Sequence, residues 1–244
     1  MKSAKQSKRR TASNTPKPKK KKRTKNPLHS AASAEWYTPP ELIEDARLIL
    51  DGIDLDPASC EYANDRWVLA DTYYDRKKDG LNQRWFGNVF LNPPGTCGGL
   101  VCGWKSGCGC KLAHHFWVKA VNKWHSHQIN PATGLESLFW VGFSLEQLGS
   151  FQSGSNWSYE NFPHPLQFPH CHLRKRLHFI DAFGDPDPHP THGNYVALLP
   201  RDAEQIDDFR TIMSRWGHVT VPAEPPAVLE LSTPAECQAL ALDA

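Results

Sequence analysis

The chain has 244 residues, enough for one substantial α/β domain with tails, and its formal net charge is +2. No apolar stretch approaches the length of a membrane span, and no apolar signal segment follows the basic, polar N-terminus. The seven cysteines are odd in number and clustered, which argues against a secreted disulfide framework and favours a reducing, cytoplasmic setting.

Positive charge is concentrated at the N-terminus. Residues 1–26 contain 12 of the 28 Lys and Arg and no acid, so the rest of the chain has 16 basic and 26 acidic residues, a balance of −10. A run of like charge is disordered in isolation and is attracted to polyanions. We therefore predict a disordered polybasic tail over 1–34 that contacts nucleic-acid phosphates, with a purely solubilising tail as the alternative.

Helices are predicted from apolar positions at helical spacing. The first begins at Thr38-Pro39-Pro40, with the Thr38 hydroxyl as N-cap and proline at the first helical positions, and ends at Gly52. A second follows the segment 95–110 and places Phe116, Trp117 and Trp124 on one side. A third is predicted over 205–216.

Short apolar runs between these helices predict strands, and 150–172 is interpreted as loop. The predicted strands cover 53–56, 89–91, 137–143, 176–180 and 195–199. Strands that alternate with amphipathic helices indicate an α/β fold with a largely parallel, Rossmann-like sheet and flanking helices. We expect this domain to span 35–218, with a Cys-rich insertion at 95–112 and a peripheral segment over 219–244.

Two of the predicted strands end in polar residues suited to binding. Asp56 closes one strand, and Asn92-Pro93-Pro94 follows another. In an α/β sheet ligands bind beyond the carboxyl ends of the strands, so an acid and a row of acceptors are expected at one edge. Prolines fix the backbone and lack an N–H, and the Asn side chain adds a carbonyl oxygen. Such a row suits the amino group of adenine or cytosine, although Asn-Pro-Pro also simply terminates strands.

The segment after Asn-Pro-Pro-Gly is rich in cysteine. Four thiols lie within fourteen residues, with the spacing C-x4-C-x5-C-x-C: Cys97, Cys102, Cys108 and Cys110. Four thiolates can close a tetrahedral zinc site, but this spacing differs from paired C-x2-C knuckles. A structural zinc site and a Gly-rich loop with incidental cysteines are therefore evenly balanced interpretations.

Several ordered motifs together resemble the phage-type DNA N6-adenine methyltransferases over roughly residues 35 to 200. The early motifs are Glu35-Trp36-Tyr37-Thr38-Pro39-Pro40, Ile53-Asp54-Leu55-Asp56-Pro57-Ala58-Ser59, Ala63-Asn64, Asp79-Gly80-Leu81, Trp85 and Asn92-Pro93-Pro94. The later ones are Phe116-Trp117, Gly142-Phe143-Ser144, Arg174 to Phe179 and His192-Gly193-Asn194. Each motif alone is weak, and the specificity of the match comes from their order.

The resemblance implies a methyltransferase sheet that binds S-adenosylmethionine and transfers its methyl group to adenine N6 in DNA. It assigns cofactor contacts to the following residues: Trp36, Thr38, Pro39, Asp56 and Asp79. It assigns the target amino group to Asn92 and the Pro93 carbonyl, with Pro94 completing the catalytic tetrapeptide. No obligate protein partner and no membrane association are implied.

One departure from the family pattern concerns Gly95, which stands where related enzymes often carry an aromatic residue that stacks on the extruded base. We expect Trp104, Phe116 or Trp117 to supply that surface. Alternatives remain open: an N4-cytosine methyltransferase, a protein-glutamine methyltransferase, which the polybasic tail disfavours, or a degenerate DNA-binding module with a zinc loop.

Overall fold

The structure, a computed structural model, describes residues 36–94, 112–152 and 163–223, which form a seven-stranded sheet with helices on both faces. Within these ranges the α-helices are α1 (Pro40–Leu50), α2 (Glu61–Ala63), α3 (Leu112–Ile129), α4 (Leu145–Gln152) and α5 (Ala203–Met213). The strands are β1 (Leu55–Asp56), β2 (Thr72–Tyr73), β3 (Gly87–Leu91), β4 (Leu135–Gly142), β5 (His170–Leu173), β6 (Tyr195–Leu199) and β7 (Gly217–Thr220). No helix in these ranges is both long and apolar enough to cross a bilayer.

The sheet is mixed, with the strand order β2-β1-β3-β4-β6-β5-β7. The first four strands in this order are parallel, and β6 and β7 each run antiparallel to their neighbours. The prediction of an α/β fold is confirmed, but a largely parallel sheet is wrong beyond β4. The reason is that 174–194 joins β5 to β6 without a helix, and a parallel pair needs a crossover, which is usually helical.

Each face of the sheet has its own apolar core. On one face Val89 and Leu91 of β3 pack with α3, and on the other Phe90 packs with α1 and α5. Successive side chains of a strand point to opposite faces, so a continuous apolar run such as Val89-Phe90-Leu91 in β3 requires cover on both. The fold is therefore three-layered, and the strand ends are left for polar residues.

Buried polar side chains tie the helices to the sheet. Gln205 of α5 is 1% exposed, and its amide nitrogen donates to the Ile49 carbonyl and to the Ser137 hydroxyl, both at 3.1 Å. Asp45 of α1 is also buried and accepts hydrogen bonds from Arg215 and from the Trp216 indole. These bonds satisfy groups that would be costly to bury alone, and they fix α1 against α5.

Some local predictions are corrected by the structure. The N-cap of α1 is Pro39, which makes no side-chain cap bond, so the Thr38 hydroxyl does not cap the helix. The segment 150–172 includes the end of α4 and most of β5, where polar His170 and His172 hid a strand. The predicted strand 176–180 is absent, because its only bridges within the described chain are made by Ile180.

Candidate functional site

The sheet register brings two predicted site segments to one edge. Strands β1 and β3 are parallel neighbours, with Leu55 opposite Val89. Asp56, the last residue of β1, and Asn92, the first residue beyond β3, therefore emerge at the same end of adjacent strands. The carboxyl end of β4, at Gly142, lies beside them. This is the edge at which α/β sheets bind ligands.

Asp56 is a buried carboxyl group, only 4% exposed. Burial raises its pKa from 3.8 to about 7, because the charged form loses its hydration. The backbone N–H of Ala58, 3.0 Å from Asp56 Oδ1, opposes this shift only in part. Because the pKa of Asp56 lies near neutrality, the carboxyl group ionises readily when a cation or hydroxyl donors approach it.

Two buried hydroxyl groups near the predicted cofactor motifs are unsatisfied. Within the described residues, neither Thr38 Oγ1 nor Ser59 Oγ has a hydrogen-bond partner of good geometry. A buried hydroxyl without a partner costs about 1–3 kcal/mol, so such atoms are uncommon in folded proteins unless a ligand or water completes them. The resemblance assigns Thr38 itself to the cofactor. Ser59 belongs to the motif that contains Asp56, which is also assigned to the cofactor.

Asn92 presents a free acceptor at the same edge. Its amide nitrogen lies 3.5 Å from the backbone carbonyl oxygen of Trp36, at the long limit of a hydrogen bond. A carbonyl can only accept, so this contact turns the Asn92 NH2 toward Trp36. No donor in the described ranges reaches Asn92 Oδ1. Asn92 itself is half-buried and Pro93 is buried, while Pro94 is exposed.

The turn that carries Asp79 packs directly on the Asp56 strand end. A Cβ atom added at Gly80 would lie 1.9 Å from the Pro57 carbonyl oxygen, so only glycine allows this approach. Asp79 has a positive φ of 53°, and its carboxylate accepts from the Leu81 N–H at 3.2 Å and from the Asn82 amide at 2.8 Å. Both oxygens of Asp79 therefore stabilise the turn itself.

Lys119 of α3 binds the backbone of the turn that carries Asp79. The sequence did not predict this contact. Its ammonium group donates to three carbonyl oxygens: Gly80 at 3.3 Å, Leu81 at 2.6 Å and Gln83 at 2.5 Å. Burial, with a smaller effect of Lys123, lowers its pKa to about 8, against the opposing effect of Asp79. The sequence around Lys119 gives no signal for this contact, because a second lysine, Lys123, follows one turn later on the same side of the helix.

The polar connection between β1 and β2 is ordered by one asparagine. Asn64 begins a π-helical turn (Asn64–Val68), and its side chain exchanges two hydrogen bonds with the backbone of Ala70, at 3.0 and 3.2 Å. Nearby, the rings of Tyr37, Tyr62 and Trp67 lie with centroids 5.5 Å apart in each pair. The Ala63-Asn64 motif therefore has a structural role, because Asn64 fixes the connection between β1 and β2.

The predicted base-stacking residues on α3 are not available for that role. Phe116 is 4% exposed and Trp117 is 1% exposed, and both pack in the core beneath the sheet. The expectation that they stack on an extruded base is therefore wrong, because the same helical spacing that revealed the helix buries them. Trp104, the third candidate, lies outside the described residues.

Other motifs of the resemblance gather at the far side of the same edge. Asn194 accepts from the Leu177 N–H at 2.9 Å and donates to the Phe143 carbonyl, while Gly193 accepts from the Leu145 N–H at 2.8 Å. These bonds shape the exit from β4. Strand β5 runs in the same direction as β4, so Arg174 and Lys175, exposed just beyond it, also reach this edge.

The predicted zinc ligands lie in a segment that the structure does not describe. Cys97, Cys102, Cys108 and Cys110 all fall between residues 95 and 111. Among the described residues there is no group of three or more His, Cys, Asp or Glu side chains arranged to hold a metal ion. The prediction of a zinc site therefore stays a prediction.

Comparisons with protein-family models, with curated proteins and with solved structures find no match to this chain.

Proposed function

We propose that this chain is a DNA methyltransferase that transfers a methyl group from S-adenosylmethionine to adenine N6. The observation that carries the proposal is the pairing of β1 with β3, which sets buried Asp56 and the open acceptor of Asn92 at one sheet edge. The ordered motifs of the sequence select this chemistry from the many functions that an α/β sheet can host.

The residues at this edge fit S-adenosylmethionine. Ionised Asp56 would stabilise its positive charge or accept from its hydroxyls, and the unsatisfied hydroxyls of Thr38 and Ser59 would complete their hydrogen bonds there. The resemblance adds Pro39 and Asp79 to this set. When bound, S-adenosylmethionine supplies the methyl group as an electrophilic carbon.

The chain's own residues then position the target amino group. Asn92 Oδ1 and the Pro93 carbonyl would accept hydrogen bonds from its two N–H groups, which aims the nitrogen and increases its electron density. No residue with a general-base role is required beforehand, because the proton can leave after the methyl group has been attacked. Most of the rate increase then comes from placing the reacting atoms in line.

Phosphate contacts would come from basic residues outside the chemistry. Exposed Arg174 and Lys175 lie at the same edge as Asn92, and the basic tail over 1–26 supplies sequence-independent attraction. The rest of the chain is acidic, so the positive charge of the tail stands out as the feature that would attract a polyanion. This distribution of charge supports DNA rather than a protein as the substrate.

The test is methyl transfer from labelled S-adenosylmethionine to unmethylated DNA, followed by nucleoside analysis. We expect N6-methyladenine. If the product is N4-methylcytosine, the proposed mechanism stands and only the target base is different, since the same acceptors fit either amino group. A chain that binds DNA but neither S-adenosylmethionine nor its demethylated product would instead be a degenerate binding module, and the enzymatic proposal would be wrong.

A further inference from the structure

A base that leaves the DNA helix needs a new stacking surface, and in the described part of the chain the residues predicted to supply one do not. Unstacking a base costs a few kcal/mol, which enzymes recover by placing the base between apolar or aromatic side chains. Residue 95, directly after Asn92-Pro93-Pro94, is glycine and carries no ring. Phe116 and Trp117 are in the core.

We propose that the Trp36 indole is the surface on which the extruded base stacks, an assignment that rests on the proposed methyltransferase function. Trp36 is 42% exposed, although it is one of the largest apolar side chains in the protein. In the described part of the chain no other aromatic ring packs on it. Its position is fixed nonetheless, because the adjoining Tyr37 is bonded to Ile180 through both backbone groups at 2.8 Å.

The position of Trp36 relative to Asn92 favours the base over the cofactor. The Trp36 carbonyl oxygen is the group that orients the Asn92 amide, so the residue lies beside the atom that would receive the target amino group. Burial increases sharply away from it: Thr38 is 3% exposed and Asp56 is 4% exposed. A base arriving from solvent would therefore meet the Trp36 ring at the mouth of the site, while the cofactor occupies the buried side.

Stacking on an aromatic side chain contributes about 1–3 kcal/mol per base, and the loss of that energy converts to roughly 5- to 160-fold in DNA affinity or turnover. Trp36→Leu should therefore reduce kcat/KM for DNA by roughly this factor. Trp36→Phe, which retains a flat ring, should recover most of it. The affinity for S-adenosylmethionine, measured by calorimetry without DNA, should be unchanged in both variants.

The matched control is Phe183→Leu, which removes a ring that is 75% exposed, in the 181–185 turn and outside the motifs assigned to the site. This variant should methylate DNA at the parent rate. Thermal unfolding of each variant establishes that it is folded. If Trp36→Leu does not fold, the stacking proposal is tested on Trp36→Phe alone. That variant must then retain a turnover and a cofactor affinity close to those of the parent.

Each alternative outcome identifies which idea fails. If the parent chain transfers no methyl group to DNA, the proposed function itself is wrong. If the parent is active and Trp36→Leu has the parent's kcat/KM, the stacking role is overturned. If Trp36→Leu chiefly weakens S-adenosylmethionine binding, the indole contacts the cofactor, as the resemblance implies, and the stacking proposal is equally overturned.

Discussion

Replacing Asp56 by Asn tests the electrostatics of the site without requiring any substrate. The change is nearly isosteric, and the Asn oxygen can still accept from the Ala58 N–H. Because the pKa of Asp56 is raised from 3.8 to about 7 in the folded chain, the folded state binds more protons than the unfolded one between those values. Stability from this group is therefore fully present below about pH 4 and is lost as the pH rises toward 7.

The magnitude follows from the same pKa. From pH 5.5 to pH 8 the parent should lose about 2 kcal/mol of unfolding free energy relative to Asp56→Asn, at about 1.4 kcal/mol for each pH unit below 7. Over the whole range the difference is about 4 kcal/mol. Urea unfolding of both proteins at the two pH values, followed by tryptophan fluorescence, measures this directly.

The difference between the two proteins, rather than the stability of either, is the informative quantity, since other groups titrate equally in both. A gap that stays constant from pH 5.5 to pH 8 would show that Asp56 is already ionised at the lower pH, and the argument for a poised carboxyl group would be refuted. Affinity for S-adenosylmethionine should show the opposite trend, rising as the pH approaches 7 in the parent and remaining weak and flat in the variant.

Three further predictions concern parts of the chain outside the chemistry. Asp45→Ala should lower the free energy of unfolding in urea by about 2 kcal/mol, because Asp45 is buried and accepts a hydrogen bond from Arg215. Glu44 is exposed, so Glu44→Ala should change the free energy of unfolding by less than about 0.5 kcal/mol. Deleting residues 1–26 should weaken DNA binding and flatten its salt dependence with unchanged cofactor affinity; an unaltered salt slope would mean a solubilising tail. Metal analysis of protein purified without chelator should find about one zinc per chain if 95–112 forms a site, whereas freely reactive thiols without metal would exclude it.

The sequence predicted those features that arise from periodicity. Val89-Phe90-Leu91 was recognisable as a buried strand, and the apolar stripe of α3 was recognisable as a helix face. The polar residues at strand ends were also recognisable, since Asp56 and Asn92 follow directly from where the apolar runs stop.

What the sequence could not predict depends on contacts between distant segments. The carbonyl oxygens bound by Lys119 belong to a turn almost forty residues earlier, and the Trp36 contact to Asn92 joins residues 56 positions apart. Likewise, β5 is alternately polar and was missed, because His170 gains its burial from pairing with β6 and β7, while His172 stays exposed. Tertiary pairing, rather than local preference, decides such segments.

The central claim is that Asn92 binds the target amino group, and paired measurements on Asn92→Ala test it most directly. We predict that methyl transfer to DNA falls by ~100-fold or more, by analogy with the loss of other positioned polar contacts at reacting centres, while affinity for S-adenosylmethionine is retained. Asn92→Asp, which retains an acceptor oxygen, should keep more activity than Asn92→Ala. Methylation by Asn92→Ala at the parent rate would contradict the account, because Asn92-Pro93-Pro94 would then only terminate a strand.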